Sequence, residues 1–280
     1  MRHHEGKLQG AEQQSIYFQY WMPESRPKAI LLLVHGAGEH SGRYLHLAQL
    51  ATGHGIGVAA LDHNGHGQSD GTPGHVHAFD DYLDDLDLFH DETTRLFDGV
   101  PMFLLGHSLG GLISCKYLLQ RQNDFVGCIL SGALIKTNLK PGRVQMAAIH
   151  LLARLTPRLG VKQLDARGVS RDPEQVKRYV EDPLVFHGKA SARMVRELFV
   201  GMAVVQAHLA AITVPMLILH GGSDVMTSPD GSRDLYQHIK SKDKTLLIYP
   251  SLYHEIFNEP EGSEIMVNIF RWCEARLPAG

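Results

Sequence analysis

Six short aliphatic runs, at residues 29–34, 58–61, 102–105, 128–130, 216–219 and 245–249, recur along this chain, most of them followed by Gly, Asp or His and separated by stretches of helical character. Near-continuous apolar runs of this length suit strands buried on both faces, and parallel neighbours need long crossovers between them. The pattern predicts a mostly parallel sheet flanked by helices. Ahead of it, residues 15–21 alternate, with Ile16, Phe18 and Tyr20 on one side, as in an antiparallel edge hairpin that precedes the parallel set. At 280 residues the chain is long enough for one large α/β domain or a domain carrying an insertion.

The third run is the most informative. Gly106-His107-Ser108-Leu109-Gly110 follows it directly, and Gly111, Leu112, Ile113, Cys115, Tyr117, Leu118 and Leu119 continue with helical character. A serine on so tight a strand-to-helix turn needs small residues two positions away on either side, because larger side chains there would collide. The turn lifts the hydroxyl to the carboxyl edge of the sheet, at a helix N-terminus whose dipole favours developing negative charge. Ser108 is therefore the candidate nucleophile. An isolated Gly-x-Ser-x-Gly is often an innocent turn; the strand before and the helix after set this one apart.

A hydroxyl is a poor nucleophile at neutral pH, so a histidine must take its proton and a carboxylate must fix that histidine's tautomer. On an α/β-hydrolase sheet the order is Ser, acid, His, with the acid in the loop after a later strand. The run 216–219 leads into His220-Gly221-Gly222-Ser223-Asp224, making Asp224 the candidate acid, with Asp230 and Asp234 as weaker alternatives. After 245–249 comes Pro250-Ser251-Leu252-Tyr253-His254-Glu255, which puts His254 in the last loop before a C-terminal helix, whereas His238 falls too early. An oxyanion hole needs two backbone N–H donors, one from the residue after the nucleophile and one from the loop after an early strand. Leu109 supplies the first, and Ala37, within His35-Gly36-Ala37-Gly38-Glu39-His40, the second. That Gly-rich turn lacks the spacings of phosphate-cradling loops. The tight polar loop from Leu61 to Gly71 reads as structural. The resulting fold class is α/β, an α/β-hydrolase fold with a mostly parallel central sheet flanked by helices.

Between the second and third runs, Phe79, Tyr82, Leu83, Leu86, Phe89 and Leu96 recur at helical spacing, with Asp80, Asp81, Asp84, Asp85 and Asp87 interleaved. This predicts an amphipathic helix with a solvated acidic face rather than a metal site. Residues 136–210 break the strand–helix rhythm. Val144, Ala148, Leu151 and Leu155 share one helical face, Pro157 interrupts it, and a second stripe of Met194, Val195, Leu198, Phe199 and Met202 precedes the next strand. The region reads as a helical cap insertion, dividing the chain into a core of residues 1–135 and 211–280 and a cap of 136–210. Such stripes are mostly packed core, but their place after the nucleophile's strands makes them candidate walls of an apolar pocket and a candidate surface for peripheral membrane contact.

Composition excludes several classes. The net charge of -3 provides no basic stripe for phosphates, so nucleic acid is not an expected partner and a neutral or weakly polar substrate fits better. Cys115, Cys128 and Cys273 are odd in number and sit in or beside apolar runs, which suits buried thiols in a reducing compartment. The N-terminus lacks an apolar leader region, and the longest aliphatic stretch is too short to span a bilayer, so the expected location is the cytoplasm. The 18 histidines include no His-Glu-x-x-His pair, and neither a Cys-x-x-Cys pair nor a calcium loop is present, so no metal or other cofactor is expected.

Four segments in order, His35-Gly36-Ala37-Gly38-Glu39-His40-Ser41-Gly42-Arg43-Tyr44, Asp62-His63-Asn64-Gly65-His66-Gly67-Gln68-Ser69, Phe103-Leu104-Leu105-Gly106-His107-Ser108-Leu109-Gly110-Gly111 and Asp243-Lys244-Thr245-Leu246, resemble the monoacylglycerol lipase family over residues 15–272. The resemblance implies a helical cap over an apolar acyl channel and hydrolysis of glycerol monoesters to fatty acid and glycerol without a cofactor. Ser108, Asp224 and His254 match the family triad, and Ala37 and Leu109 its oxyanion donors. Glu39, Arg43 and His107 match residues at the polar end of the site, and Tyr179 looks like the tyrosine that contacts the glycerol head group. Leu109 stands where vertebrate members have Met, a change that leaves its N–H in place. Phe257 stands where they have another histidine, which implies a less polar head-group end.

Two other enzymatic readings share this triad, a lysophospholipase and a broad carboxylesterase, because fold and catalytic residues do not fix the leaving group. A non-catalytic binding protein on the same fold would have no need to keep all three residues.

Overall fold

The aliphatic runs become strands because their side chains, alternating across a sheet, are covered on both faces. The computed structural model describes residues 1–10, 13–138, 141–163 and 165–278. Strands β1 (Arg2–Gln9) and β2 (Ser15–Met22) form a hairpin, followed by β3 (Ala29–Val34), α1 (Leu45–Gly53), β4 (Ile56–Leu61), α2 (Asp80–Leu96), β5 (Met102–His107), α3 (Leu109–Arg121) and β6 (Gly127–Ser131). Next come α4 (Arg143–Leu155), β7 (Gly160–Gln163), α5 (Pro173–Glu181), β8 (Lys189–Ser191) and α6 (Ala192–His208). The chain closes with β9 (Met216–Gly221), α7 (Pro229–His238), β10 (Lys244–Tyr249) and α8 (Gly262–Glu274). The main sheet has the order β1-β2-β4-β3-β5-β6-β9-β10; from β4 to β10 every pairing is parallel, and β1 and β2 pair antiparallel.

Strand β3 shows how one run serves two cores. Ile30, Leu32 and Val34 face the layer of α2, α3 and α6, while Ala29, Leu31 and Leu33 face α1 and α8. Strands β3, β4, β5, β6 and β9 are buried at every residue, whereas β10, at the sheet edge, is half-buried. The expected N-terminal hairpin is present, but β2 is not the edge. The polar segment Arg2–Gln9 covers it and is itself mostly exposed, which is why no hydrophobic alternation announced it. Strand β2 is held from inside by Phe18 and Tyr20, whose rings lie 5.5 and 5.6 Å from that of Phe89 on α2.

Helix α2 buries Tyr82, Leu83, Leu86 and Phe89 as its spacing predicts, with two corrections. Asp85 is buried, because three residues after Tyr82 and four before Phe89 it must point inward. Leu96 is 47% exposed, and the half-buried Phe97 continues the packed stripe instead. On the acidic face Asp87 is held by protein groups, accepting from Arg121 Nε at 2.8 Å and from the Tyr117 hydroxyl at 2.8 Å.

Residues 136–210 carry α4, α5, α6 and a small antiparallel pair, β7 with β8. Their two stripes behave differently. Helix α6 buries Met194, Met202 and Val205 in the main core and leaves Leu198 and Phe199 half-buried. Residues 192–211 are long and apolar enough to cross a membrane by length and composition, and a third of that stretch is buried, with Met194, Met202, Val205 and Leu209 in the main core. Helix α4 instead turns its stripe to solvent, with Val144 83%, Leu151 57% and Leu155 68% exposed, and buries the small Ala153. Residues 136–210 are stitched to loops of the rest of the chain. His40 Nε2 lies 2.9 Å from Asp182 Oδ2, Phe186 N–H donates to Gly38 O, and Glu255 N–H donates to Val169 O. Arg171 Nε donates at 3.0 Å to Glu259, whose carboxylate also accepts from Tyr253 N–H.

Candidate active site

Ser108 lies between β5 and α3 with φ +53° and ψ -116°, a left-handed conformation that costs a non-glycine residue roughly 1–3 kcal/mol. Its surroundings hold it there: Ser108 N–H donates to Ser131 O at 3.0 Å, and its carbonyl accepts from Leu134 N–H at 2.9 Å. The flanking glycines are a steric necessity. A Cβ on Gly110 would sit 1.9 Å from Val34 O, and one on Gly106 2.4 Å from Ser114 Oγ.

At the end of β9 the chain turns sharply at Gly221, where a Cβ would meet Tyr253 O at 2.0 Å. This close approach brings Asp224 under the loop that carries His254. Asp224 Oδ2 accepts from His254 Nδ1 at 2.6 Å and from the Thr227 hydroxyl at 2.8 Å, while Oδ1 accepts from Met226 N–H at 2.7 Å and Thr227 N–H at 3.0 Å. Burial pushes the Asp224 carboxyl up, but His254 and His220 beside it hold it far below the usual range. The alternatives lie elsewhere. Asp230 is exposed and paired with Arg233, Asp234 pairs with Lys136, and His238 is on the exposed end of α7.

With Nδ1 committed to Asp224, His254 Nε2 is the nitrogen left for a substrate-side proton. Ser108 and His254 line one cavity of about 80 Å³ together with Ala37, Glu39, His107 and Tyr179. No hydrogen bond joins Ser108 Oγ to His254 among the described residues; in substrate-free enzymes that contact is often long. Burial lowers the His254 pKa, but the adjoining Asp224 carboxylate, with Glu255 and Glu39 adding, raises it above the ordinary value. His107, whose ring centroid is 4.8 Å from that of His254, is pushed down to about 4 by burial and then by His254, so it stays neutral near pH 7. Leu109 opens α3, and Ala37 follows Gly36 on the loop after β3. Neither N–H has an acceptor among the described residues.

The polar end is a closed ionic cluster. Glu39 Oε1 accepts from Gly36 N–H at 2.6 Å and the Tyr44 hydroxyl at 2.7 Å, and Arg43 Nη1 donates to Oε2 at 2.9 Å. Arg43 also forks onto Glu255 at 2.7 and 2.8 Å and lies 4.7 Å from the centroid of the Tyr179 ring. Arg43 therefore stands behind the cavity wall rather than in it. Burial raises the Glu255 carboxyl, yet Arg43 brings it down to about 2. Phe257 is buried beside this cluster. Glu255 and His220 carry little signal in the sequence as site residues. Their signals were only adjacency to His254 and a four-residue offset from Asp224.

A second cavity of about 250 Å³ continues from the first. The two share Leu134, Leu198 and Met226, and Phe199, Met202 and Val195 line the extension, with Lys162 and Asp165 among its polar residues. The loop after β4 is structural: the Asp62 carboxylate accepts from Ser41 N–H, the Ser41 hydroxyl and Gln68 N–H.

A family described as serine aminopeptidase, S33, matches residues 25–261. The chain is 36% identical to a monoacylglycerol lipase of Mycolicibacterium smegmatis, over 94% of each chain. It is 34% identical to a monoglyceride lipase of Homo sapiens, over 96% of this chain and 90% of the human one. Among solved structures, a Paleococcus ferrophilus monoacylglycerol lipase superposes with a TM-score of 0.82 at 35% identity, covering 99% of this chain and 100% of that one.

Proposed function

We propose, from the premise that this chain belongs to the monoacylglycerol lipase family of serine hydrolases, that it hydrolyses monoacylglycerols to fatty acid and glycerol. The observation that carries the reading is the meeting of two spaces: the cavity at Ser108, lined in part by Glu39, His107 and Tyr179, and the larger, mainly apolar cavity that shares Leu134, Leu198 and Met226 with it. Ser108 Oγ attacks the ester carbonyl while His254 Nε2 takes its proton, and Asp224 holds the imidazolium that forms. The N–H groups of Ala37 and Leu109 receive the oxyanion. His254 then protonates the departing glycerol, and water repeats the sequence on the acyl-enzyme. His107 and Tyr179 face the glycerol hydroxyls; Glu39 and Arg43 frame the loop that carries Ala37.

The test compares monoolein with solubilised triolein under matched conditions. A triacylglycerol would press two further chains against the polar wall, leaving buried polar groups unpaired at about 1–3 kcal/mol each, so monoolein is expected to be cleaved at least about tenfold faster. Equal rates would replace this reading with a general lipase, and preference for a lysophospholipid or a methyl ester would favour the broader esterase readings.

Because His254 acts as a base only when neutral, activity is lost as pH falls through its pKa and is fully present above it. The raised pKa of His254 places the acid limb of kcat/KM at or above the ordinary histidine value of about 6.5. A profile that stays flat down to about pH 5, with chemistry limiting, contradicts the assignment.

Residues 136–210 act as the cap, with α6 shared between cap and core. The α6 side chains Leu198 and Phe199 wall the acyl channel, whereas the α4 stripe is a docking face by which a cytoplasmic enzyme meets membrane-borne substrate. Leu151→Asp with Leu155→Asp is expected to cut turnover of vesicle-borne monoolein while sparing a soluble short-chain ester. Equal loss on both substrates would remove the docking role.

A further inference from the structure

The acid at the end of β9 is shared by two histidines. His220, wholly buried, brings Nε2 to 3.1 Å from Asp224 Oδ2, the same oxygen that accepts from His254 Nδ1 at 2.6 Å. On its other side His220 Nδ1 lies 2.7 Å from Ser232 Oγ on α7, also wholly buried, and Thr227 Oγ1 is 3.2 Å from Nε2. A carboxylate only accepts, so the proton sits on Nε2, and Nδ1 accepts from the Ser232 hydroxyl. A residue that only filled this space would be apolar. An imidazole and a hydroxyl are costly to bury, and here each polar atom is matched to a partner that ends on the acid.

We propose that His220, oriented by Ser232, is a positioning residue for catalysis: its Nε2–H lies against both Asp224 Oδ2 and the Thr227 hydroxyl that donates to that same oxygen, and so holds the carboxylate against rotation with Oδ2 directed at the His254 imidazole. The inference rests on the reading of Ser108, His254 and Asp224 as the catalytic groups. With Oδ1 pinned by two backbone N–H groups and Oδ2 by His220 and Thr227, the acid is set before His254 becomes charged. The titratable and charged groups around the pair are Glu255 and Glu39, with Arg43 between them, and His107 on the His254 side; the His220 side presents the hydroxyls of Thr227 and Ser232. Removing one donor leaves the carboxylate more basic, which strengthens its hold on the His254 proton in molecules that remain aligned.

The test uses His220→Leu, His220→Gln and Ser232→Ala in the full chain, with a soluble butyrate ester as substrate and rates normalised to sites titrated by a fluorophosphonate. A hydrogen bond to a charged group corresponds to a factor of about ten to a hundred, so His220→Leu is expected to lower kcat by that much. Its KM should stay within about twofold and the acid limb should move upward. His220→Gln, which restores an N–H donor, should recover most of the rate, and Ser232→Ala should lose a few-fold, with its limb displaced the same way. Full activity of His220→Leu, or equal losses for Leu and Gln with an unmoved limb, would overturn the proposal. Should His220→Leu not fold, unchanged kcat and pH profile in Ser232→Ala would do the same. Asp224→Asn measured alongside separates two failures. If it too is active, the triad reading is wrong; if it is inactive while His220→Leu is unimpaired, only the role of His220 falls.

Discussion

Ser108→Ala is expected to retain the fold and to lose ester turnover by on the order of 10⁴- to 10⁶-fold in kcat. The hydroxyl makes no hydrogen bond among the described residues, and alanine keeps the Cβ, so the strained turn between Gly106 and Gly110 has no new reason to open. What disappears is the hydroxyl that lines the same cavity as His254 and Ala37. A residual rate above solvent hydrolysis should survive, because oxyanion stabilisation and substrate binding do not need Oγ. The measurement is single-turnover hydrolysis of a chromogenic ester together with a thermal melt. Near-normal turnover in a folded variant would refute the nucleophile.

Asp224→Asn should cost roughly ten-thousandfold in kcat. Here the geometry gives the reason in detail. Both carboxylate oxygens are surrounded by donors, two backbone N–H groups at Oδ1 and two histidines with the Thr227 hydroxyl at Oδ2. An asparagine in either orientation turns its NH₂ toward at least two donors. If that group faces His254, the imidazole must place its proton on Nε2, where it cannot accept from Ser108. If it faces the backbone, the turn that carries the acid is destabilised by about 1–3 kcal/mol. Asp230→Asn, at an exposed ion pair, should change kcat by less than about twofold. Damage from Asp230→Asn with an active Asp224→Asn would exchange the two assignments.

Much of this architecture was legible because it rests on local rules. The runs at 29–34 and 216–219 could only be buried strands, and Gly106 and Gly110 announce a turn that tolerates no Cβ. Other features depend on what lies across space. Arg2–Gln9 has no apolar alternation, since it is recruited by the edge of β2 rather than by a core. The stripe of Val144, Leu151 and Leu155 has the same periodicity whether it meets protein or solvent, and only the seating of Ala153 decides which. Arg43 matches a residue at the polar end of the family's site, and what its guanidinium binds, Glu255, lies 212 residues away. Glu255 is hidden for the same reason, since its partner Arg43 lies on another loop, whereas His220 sits four residues from Asp224 and only its contact with Ser232 on α7 depends on the fold.

The stitching between residues 168–171 and the loop after β10 bears on how such enzymes can be rebuilt. His254 N–H reaches Gly168 O at 3.4 Å, Glu255 N–H reaches Val169 O at 2.8 Å, and Arg171 clasps Glu259. Residues 168–171 thus act as a splint for the loop that carries His254. Grafting a foreign cap to alter chain-length preference would detach that splint, so a chimera should exchange residues 165–171 and 253–261 as one matched cassette, and a cap-less truncation should fail even on the smallest ester.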